Sequence, residues 1–136
     1  MKDEYKDKNE EIESNWELLS SFANIPPEIH QFGINVRLNV WQPGNRKFPH
    51  APCVRVFRKS FDESFSIGLE DSDIKVVSGK SFLKDKKLNI LLEGIRKYRI
   101  PLLMMWFDEA MDILELRNLM DQIDNGIKLD LPQKLT

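Results

Sequence analysis

The sequence has very little cysteine, no long apolar run and no marked excess of charge of one sign. A single cysteine, Cys53, among 136 residues excludes an internal disulfide and is typical of proteins from a reducing compartment. No apolar stretch approaches the roughly 18 residues that span a bilayer, and the first eight residues lack the apolar core of a signal peptide. The sequence therefore predicts a cytoplasmic protein without membrane contact.

The charges nearly cancel, because 20 Lys and Arg stand against 22 Asp and Glu and give a formal net charge of -2. Proteins that bind nucleic acid mainly through charge are normally clearly basic, so the balance argues against that class but leaves room for a local basic patch. Hydrophobic residues make up 41% and charged residues 31%, which indicates a folded domain of ordinary size and not a disordered chain.

Alternation of apolar and polar residues predicts about four short strands. In the clearest one, Ile34, Val36, Leu38 and Val40 alternate with Asn35, Arg37, Asn39 and Trp41. Further strands are predicted at residues 54–57, 65–69 and 74–77. The connections are too short for crossover helices, so we expect an antiparallel sheet with one wet face.

Helical spacing of apolar residues predicts the elements that cover the sheet. Residues 10–23 form an amphipathic helix, a second helix runs to Tyr98 with Asp85 or Ser81 as its cap, and a third extends from Pro101 to about Asp124. The predicted fold is α+β, a small antiparallel sheet packed against C-terminal helices with an extra N-terminal helix. Residues 10–126 form this single domain, between a charged flexible tail at 1–9 and a C-terminal tail at 127–136.

No set of residues converges on a catalytic or metal site. Zinc requires about four ligands, or three and a water, but the His and Cys ligands of the chain are only His30, His50 and Cys53, with no paired Cys-x-x-Cys. Catalysis by Cys53 requires His50 to fold back on it as a base, which nothing in the sequence demands. Gly79-Lys80-Ser81 ends like a phosphate-binding loop but lacks the first glycine of that motif. We therefore expect no metal, no cofactor and, on balance, no enzymatic activity.

Two charged clusters remain as candidates. Asp108, Glu109, Asp112 and Glu115 form an acidic group, for which cation binding is possible but a solvated helix face is the commoner explanation. Basic residues surround the first two predicted strands, with a tryptophan among them: Arg37, Trp41, Arg46, Lys47, Arg55, Arg58 and Lys59. If these strands pair, they form a basic sheet face that binds nucleic acid by charge and stacking, or an acidic partner protein.

The run Pro52-Cys-Val-Arg-Val-Phe57, the strand after it and the segment Leu102-Leu-Met-Met-Trp106 to Ala110 resemble a small bacterial domain-of-unknown-function family numbered 4160. The resemblance spans about residues 34–112. It implies a partner-binding role, because that family is often encoded in two-gene cassettes similar to toxin–antitoxin pairs. The family's Pro-His-x-His-Val segment is here Pro52-Cys-Val-Arg-Val56. Any chemistry of those histidines is therefore not expected in this chain.

The sequence supports three hypotheses of function. The leading one is a non-enzymatic protein-interaction module, antitoxin-like or inhibitor-like, that binds a macromolecular partner through the basic sheet face and a helix. The alternative is a nucleic-acid-binding or nucleic-acid-cleaving protein of such a cassette. The third is a structural homodimer formed through an unpaired strand edge.

Overall fold

The computed structural model describes residues 24–43, 51–59, 62–70 and 73–131. The helix predicted over residues 10–23 lies outside the described residues, and so do three residues named above, Arg46, Lys47 and His50. In chain order the described elements are β1 (Asn24–Ile25), α1 (Pro27–His30), β2 (Arg37–Asn39), β3 (Cys53–Phe57), β4 (Ser64–Gly68), β5 (Val76–Gly79), α2 (Asp85–Lys97), α3 (Arg99–Phe107) and α4 (Ile113–Asp124).

The strands form one antiparallel sheet in the order β1-β2-β3-β4-β5. This confirms the predicted α+β class, with five strands where about four were expected. The additional strand, β1, pairs Ile25 with Leu38 and Asn24 with Asn39. β1 and β5 are the outermost strands of the described sheet, and pairing of two copies at a strand edge stays a prediction. Within the described part of the chain, no helix has the length and apolarity needed to cross a membrane.

One face of the sheet builds the core, and we call it the inner face. The four aliphatic residues of the first predicted strand, Ile34 to Val40 at every second position, are all buried, as expected from their alternation. Val54 and Val56 of β3 and Phe65 of β4 lie in the same core. The helices complete this core with Leu91, Ile95, Leu102, Leu103, Met105, Trp106, Leu116 and Met120. The opposite side of the sheet is called the outer face.

The predicted continuous helix from residue 101 to residue 124 is wrong, because the chain forms two helices with a break between them. Asp108 leaves α3 in an extended conformation (φ −121°, ψ 104°), and its Oδ1 accepts a hydrogen bond from the backbone N–H of Ala110 at 2.9 Å. Asp112 then caps α4, accepting from the backbone N–H of Glu115 at 2.8 Å. Short carboxylate side chains compete in this way for backbone groups and interrupt a helix.

Other boundaries also differ from the predictions, since the first predicted strand pairs only over Arg37–Asn39 and α3 begins at Arg99 instead of Pro101. Asp85 is the first residue of α2 and not its cap, a position held by Lys84, while the Ser81 hydroxyl bonds the turn before the helix through Leu83. β5 begins two residues later than predicted, at Val76. The pairing of β5 with β4 shifts register between Ser66 and Ile67. A prediction from alternation assumes a regular pairing, so it misplaces the strand start beside such an irregularity.

The buried side chain of Gln42 ties the end of β2 to the break between α3 and α4. Its Nε2 donates to the carbonyl oxygens of Asp108 at 2.7 Å and Met111 at 2.9 Å. Both hydrogens of the carboxamide are therefore used on backbone groups that no helix satisfies. This links the sheet to the helices that cover it.

Replacing Gln42 by Ala is expected to lower the free energy of unfolding by about 1–3 kcal/mol, because the carbonyl oxygen of Met111 loses its side-chain donor and that of Asp108 keeps only the backbone N–H of Met111 at 3.2 Å. Urea denaturation measures the change. Gln31→Ala is the matched control, since Gln31 is exposed and its only described side-chain bond, to Glu28 O, is 3.4 Å long. Equal stability of the Gln42 and Gln31 variants would contradict the role assigned to Gln42.

His30 is buried at the end of α1 and holds the connection to β2. Its Nε2 lies 2.8 Å from the carbonyl oxygen of Val36, and its Nδ1 accepts from the backbone N–H of Phe32 at 3.1 Å. The first bond requires the proton on Nε2, so the neutral ring fits both partners. Burial lowers the pKa of His30 below its ordinary value of 6.5, although the bond to Val36 and the charge of Glu28 oppose the shift.

Acidification is expected to destabilise the fold through His30. At high pH the ring is neutral in both states, but as the pH falls below 6.5 the unfolded chain takes up a proton that the folded chain resists. Urea denaturation at about pH 7.5 and about pH 5.5 tests this. A glutamine side chain donates without titrating, so His30→Gln should lose less stability between these two pH values than the parent. Parallel profiles for the parent and His30→Gln would refute this linkage.

Candidate functional site

A row of polar residues crosses the outer face of the sheet from one edge strand to the other. Consecutive backbone pairings align one residue from each of the five strands, and we call the row the polar rung: Asn24, Asn39, Arg55, Ser66 and Ser78. Side chains directly opposite each other on adjacent strands are about 4.5–5.5 Å apart at Cβ and interact. The rung therefore forms a continuous set of hydrogen-bonding groups.

The position of the rung follows from the core beneath it. Val54 and Val56 have no solvent exposure, so Arg55 between them faces outward. Leu38 and Val40 place Asn39 on the outer face in the same way. The alternation that predicts the strands thus also predicts which polar residues share this face.

Arg55 has defined contacts on the outer face. Its Nη1 donates to the hydroxyl of Ser64 at 3.0 Å, and its guanidinium carbon lies 5.9 Å from the centre of the Trp41 ring. This distance is within the range of a cation–π interaction. Arg37 lies opposite Phe57, diagonally adjacent to Arg55, on the same face. Two of the predicted basic residues and the predicted tryptophan are therefore brought together.

The side chain of Asn39 presents an unusual acceptor. Asn39 is only 2% exposed, and neither its Oδ1 nor that of its cross-strand neighbour Asn24 has a hydrogen-bond partner within the part of the chain described. Burying an acceptor without a donor costs about 1–3 kcal/mol on protein mutational scales. Such a group is rare in native proteins and calls for a specific explanation.

A cavity of about 630 Å³ opens on the outer face above the rung. Asn39, Arg55, Ser66 and Ser78 line it, together with Trp41, Cys53, Gly68 and Trp106. Further lining residues are Glu70, Asp73 and Lys75, of which the last two form an ion pair of 3.1 Å. The volume is typical of sites that take a small molecule or a few side chains, which usually combine apolar walls with a few polar groups.

Arg58 and Lys59 of the predicted basic residues do not join this site. Arg58 forms an ion pair with Glu63, and its guanidinium lies 4.1 Å from the centre of the Phe82 ring. Phe82 in turn packs edge-on against Phe65 of the core. Arg58 therefore packs against the end of the sheet and not against the polar rung. Lys59 is exposed just beyond β3. Arg46 and Lys47 lie outside the described residues.

Sequence reasoning did not single out Asn39, Ser66, Ser78 or Trp106. The first three are ordinary polar residues of predicted strands or strand ends, and only the register across the sheet aligns them with Arg55. Trp106 lies within the third predicted helix and is 2% exposed in the core, yet it also borders the cavity. A pairing register derived from the buried valines of β3 is the signal that identifies Asn39 and Ser66.

The acidic cluster has a structural explanation in this fold. The carboxylates of Asp108 and Asp112 accept hydrogen bonds from backbone N–H groups at the break between α3 and α4. Glu109 is exposed. Over the described ranges, no three His, Cys, Asp or Glu side chains are grouped so as to hold a metal ion.

Asp112→Ala is expected to cost about 1 kcal/mol of stability, because α4 loses its N-terminal cap. Glu109→Ala removes the same charge from an exposed position without a described cap contact and should change stability by less than about 0.5 kcal/mol. Thermal and urea denaturation of the two variants give the comparison. Indistinguishable variants would show that the cap does not stabilise α4.

Comparison with known proteins adds no assignment to these observations. A scan against protein-family models finds no match, and searches of curated proteins and of solved structures find none either. The resemblance to family 4160 therefore stays a prediction, and function has to be argued from the polar rung and its cavity.

Proposed function

We propose that this protein is a non-enzymatic interaction module whose outer sheet face binds an acidic region of a partner protein. The observation that supports this most is the shared placement of Arg37, Arg55 and Trp41 on the outer face, where Arg55 and Trp41 line the cavity. Arg and Trp are among the residue types that contribute most to binding energy at protein interfaces. An acidic group of the partner is the complement of two neighbouring guanidinium groups.

The contacts of Arg55 favour binding because they restrict its side chain before a partner arrives. The bond to Ser64 and the contact with the Trp41 ring hold the guanidinium on the outer face beside the cavity. Less rotamer freedom is then lost on association than with an unrestrained side chain.

The family resemblance adds an expectation about the role of such binding. In a two-gene cassette, a small domain of this kind acts antitoxin-like or inhibitor-like by occupying a surface that its partner needs. In this account the outer face is the surface that contacts the partner.

Binding of single-stranded nucleic acid is the second candidate, and the contact between Arg55 and Trp41 favours it. An aromatic ring beside a guanidinium is the arrangement on which bases stack while phosphates are neutralised. The net charge of -2 and the pairing of Lys75 with Asp73 and of Arg58 with Glu63 reduce the positive potential available for it. We therefore place the protein partner first.

Reversal of the charges of Arg37 and Arg55 tests whether the outer face binds the partner. The double variant Arg37→Glu, Arg55→Glu is expected to lose a partner captured from nuclease-treated extract of the source organism, with affinity falling at least about tenfold, or 1.4 kcal/mol. The captured protein is identified by mass spectrometry and then purified, and calorimetry measures its affinity for the parent and each variant.

Arg96→Glu is the matched control, because Arg96 is an exposed arginine of α2, on the helical side of the sheet. The proposal holds when the outer-face variant loses the partner and the Arg96 variant keeps it. Equal affinities of parent and outer-face variant would contradict it. Binding that disappears on nuclease treatment and falls steeply with salt would instead establish the nucleic-acid candidate.

A further inference from the structure

We infer that an extended acidic segment of the partner protein binds as an additional strand along β5, with its main chain paired to the open edge of that strand and its carboxylates beside the lysines that flank it. The inference deepens the proposed function and rests on it, since it states how the acidic region of the partner is held. It is supported by the exposed edge of the sheet at β5 and by the positive charge concentrated around this edge.

β5 offers an open edge to such a segment. It pairs with β4 on one side and is an outermost strand of the described sheet, so the N–H and C=O groups on its other side have no strand partner among the described residues. Residues 77–80 are all exposed, and Val77, an apolar residue, is 55% exposed. A neighbouring strand would cover this valine and pair the main-chain groups of the edge.

Positive charge is concentrated around this edge. Residues 75–87 carry five lysines against one acidic residue, Asp85, whereas the whole chain has a formal net charge of -2. Lys75 and Lys80 flank β5 at its two ends, and both are exposed. Lys80 has no ion-pair partner in the described part of the chain, and the exposed pair of Lys75 with Asp73 contributes little to stability. Carboxylates of an added strand are the complement of these two lysines.

The same lysines disfavour a second copy of the chain at this edge. Antiparallel pairing of two β5 strands about their common centre would bring Lys75 of one copy near Lys80 of the other, and like charges on adjacent strands are destabilising. β5 is also short and is irregularly paired with β4, and both features are used by natural sheet edges against unwanted strand pairing. An acidic strand is favoured over these competitors, because it replaces charge repulsion by attraction.

The open edge favours a polypeptide over a nucleic acid. It presents both N–H donors and C=O acceptors, and a second polypeptide strand supplies the complementary set. The phosphate oxygens of nucleic acid accept hydrogen bonds but donate none, so they would leave the C=O groups of the edge unpaired. Charge alone does not separate the two ligands, whereas main-chain pairing does.

This edge is continuous with the surface to which the proposed function assigns the partner. Three residues in or beside β5 border the cavity that Arg55 lines: Lys75, Val77 and Ser78. Adjacent strands of a sheet lie about 4.7–4.9 Å apart, so a segment beyond β5 extends the outer face by one strand. A single partner is therefore able to contact the outer face and the strand edge together.

Capped peptides test the inference on the full chain. An acetylated and amidated peptide of alternating glutamate and valine, about six residues long, has the length of an ordinary strand. NMR titration is expected to shift the backbone amides of residues 75–80 and to slow hydrogen exchange of those directed away from β4. The matched peptide of alternating lysine and valine should bind at least about threefold more weakly. Equal or tighter binding of the lysine peptide, or titration without shifts at residues 75–80, overturns the inference.

A backbone-methylated peptide separates strand pairing from attraction between charges. Methylation of every amide nitrogen of the glutamate peptide retains its carboxylates but removes its main-chain donors. Its affinity should therefore fall at least about tenfold, or 1.4 kcal/mol, and equal affinity overturns the pairing.

Two other ligands of the edge are tested in parallel. A single-stranded thymidine oligonucleotide that shifts the same amides and binds more tightly than the glutamate peptide overturns the inference in favour of nucleic acid. A stable dimer of the chain alone, detected by sedimentation equilibrium and with slow exchange of the β5 amides, overturns it in favour of a second copy.

Charge reversal at the two ends of β5 tests the lysines. The double variant Lys75→Glu, Lys80→Glu should bind the glutamate peptide at least about threefold more weakly than the parent, and the captured partner more weakly as well. Arg96→Glu, Lys128→Glu is the matched control, because both residues are exposed and lie in α2 and after α4. Equal affinities of the two double variants overturn the inference.

The two proposals fail in different ways. Partner affinity that survives reversal of Arg37 and Arg55 contradicts the acidic-partner proposal. Affinity that is lost on that reversal but is the same in the parent and in the Lys75→Glu, Lys80→Glu variant leaves the proposed function standing and contradicts the strand inference alone.

Discussion

Burial of Val54 and Val56 beneath the helices sets the register of the central strand β3, and both faces of the sheet depend on it. Each valine has no solvent exposure, and Arg55 lies between them on the other side. A slip of one residue would exchange the faces and place a guanidinium in the apolar core, at a cost of several kcal/mol. The interaction that stabilises the core is therefore also the one that aligns Arg55 with Asn39 and Ser66.

Hydrogen bonds from the helical layer keep the sheet in place behind its outer face. Arg99 of α3 donates to the carbonyl oxygen of Leu69, just after β4, at 2.7 Å. Arg117 of α4 donates to that of Ile29 in α1 at 2.8 Å and joins two helices of this layer. Gln42 makes the reciprocal link from the sheet side. Charge-assisted bonds to backbone carbonyls are stronger than neutral ones, so the layer resists sliding. Outer-face residues thus start from fixed positions, which reduces the entropy lost when a partner binds.

Local periodicity was sufficient to predict the α+β class and most of the buried residues, because alternation and helical spacing are imposed by the core itself. It missed β1, since two residues are too short to show any period. It also joined α3 to α4, because the apolar stripe resumes beyond the break that Asp108 and Asp112 create through hydrogen bonds to the backbone. Such bonds leave no trace in a hydrophobic pattern.

The candidate site was predictable only in part, for a related reason. Arg37, Arg55 and Trp41 belong to or adjoin alternating strands, and their common face follows from that alternation. Arg58 lies beyond the last regular position of β3, where alternation no longer determines direction, and it turns to Glu63 and Phe82. The unpartnered oxygen of Asn39 depends on everything packed around it, so no local sequence signal reports it.

The most direct test of this account is the register of the polar rung in solution. Isotope-edited NOE measurements between backbone protons of adjacent strands are expected to show Asn39 opposite Arg55 and Arg55 opposite Ser66. Cross-peaks that instead place Arg55 opposite Leu38 or Ile67 would turn its guanidinium toward the core, and would contradict both the site and the proposals built on it.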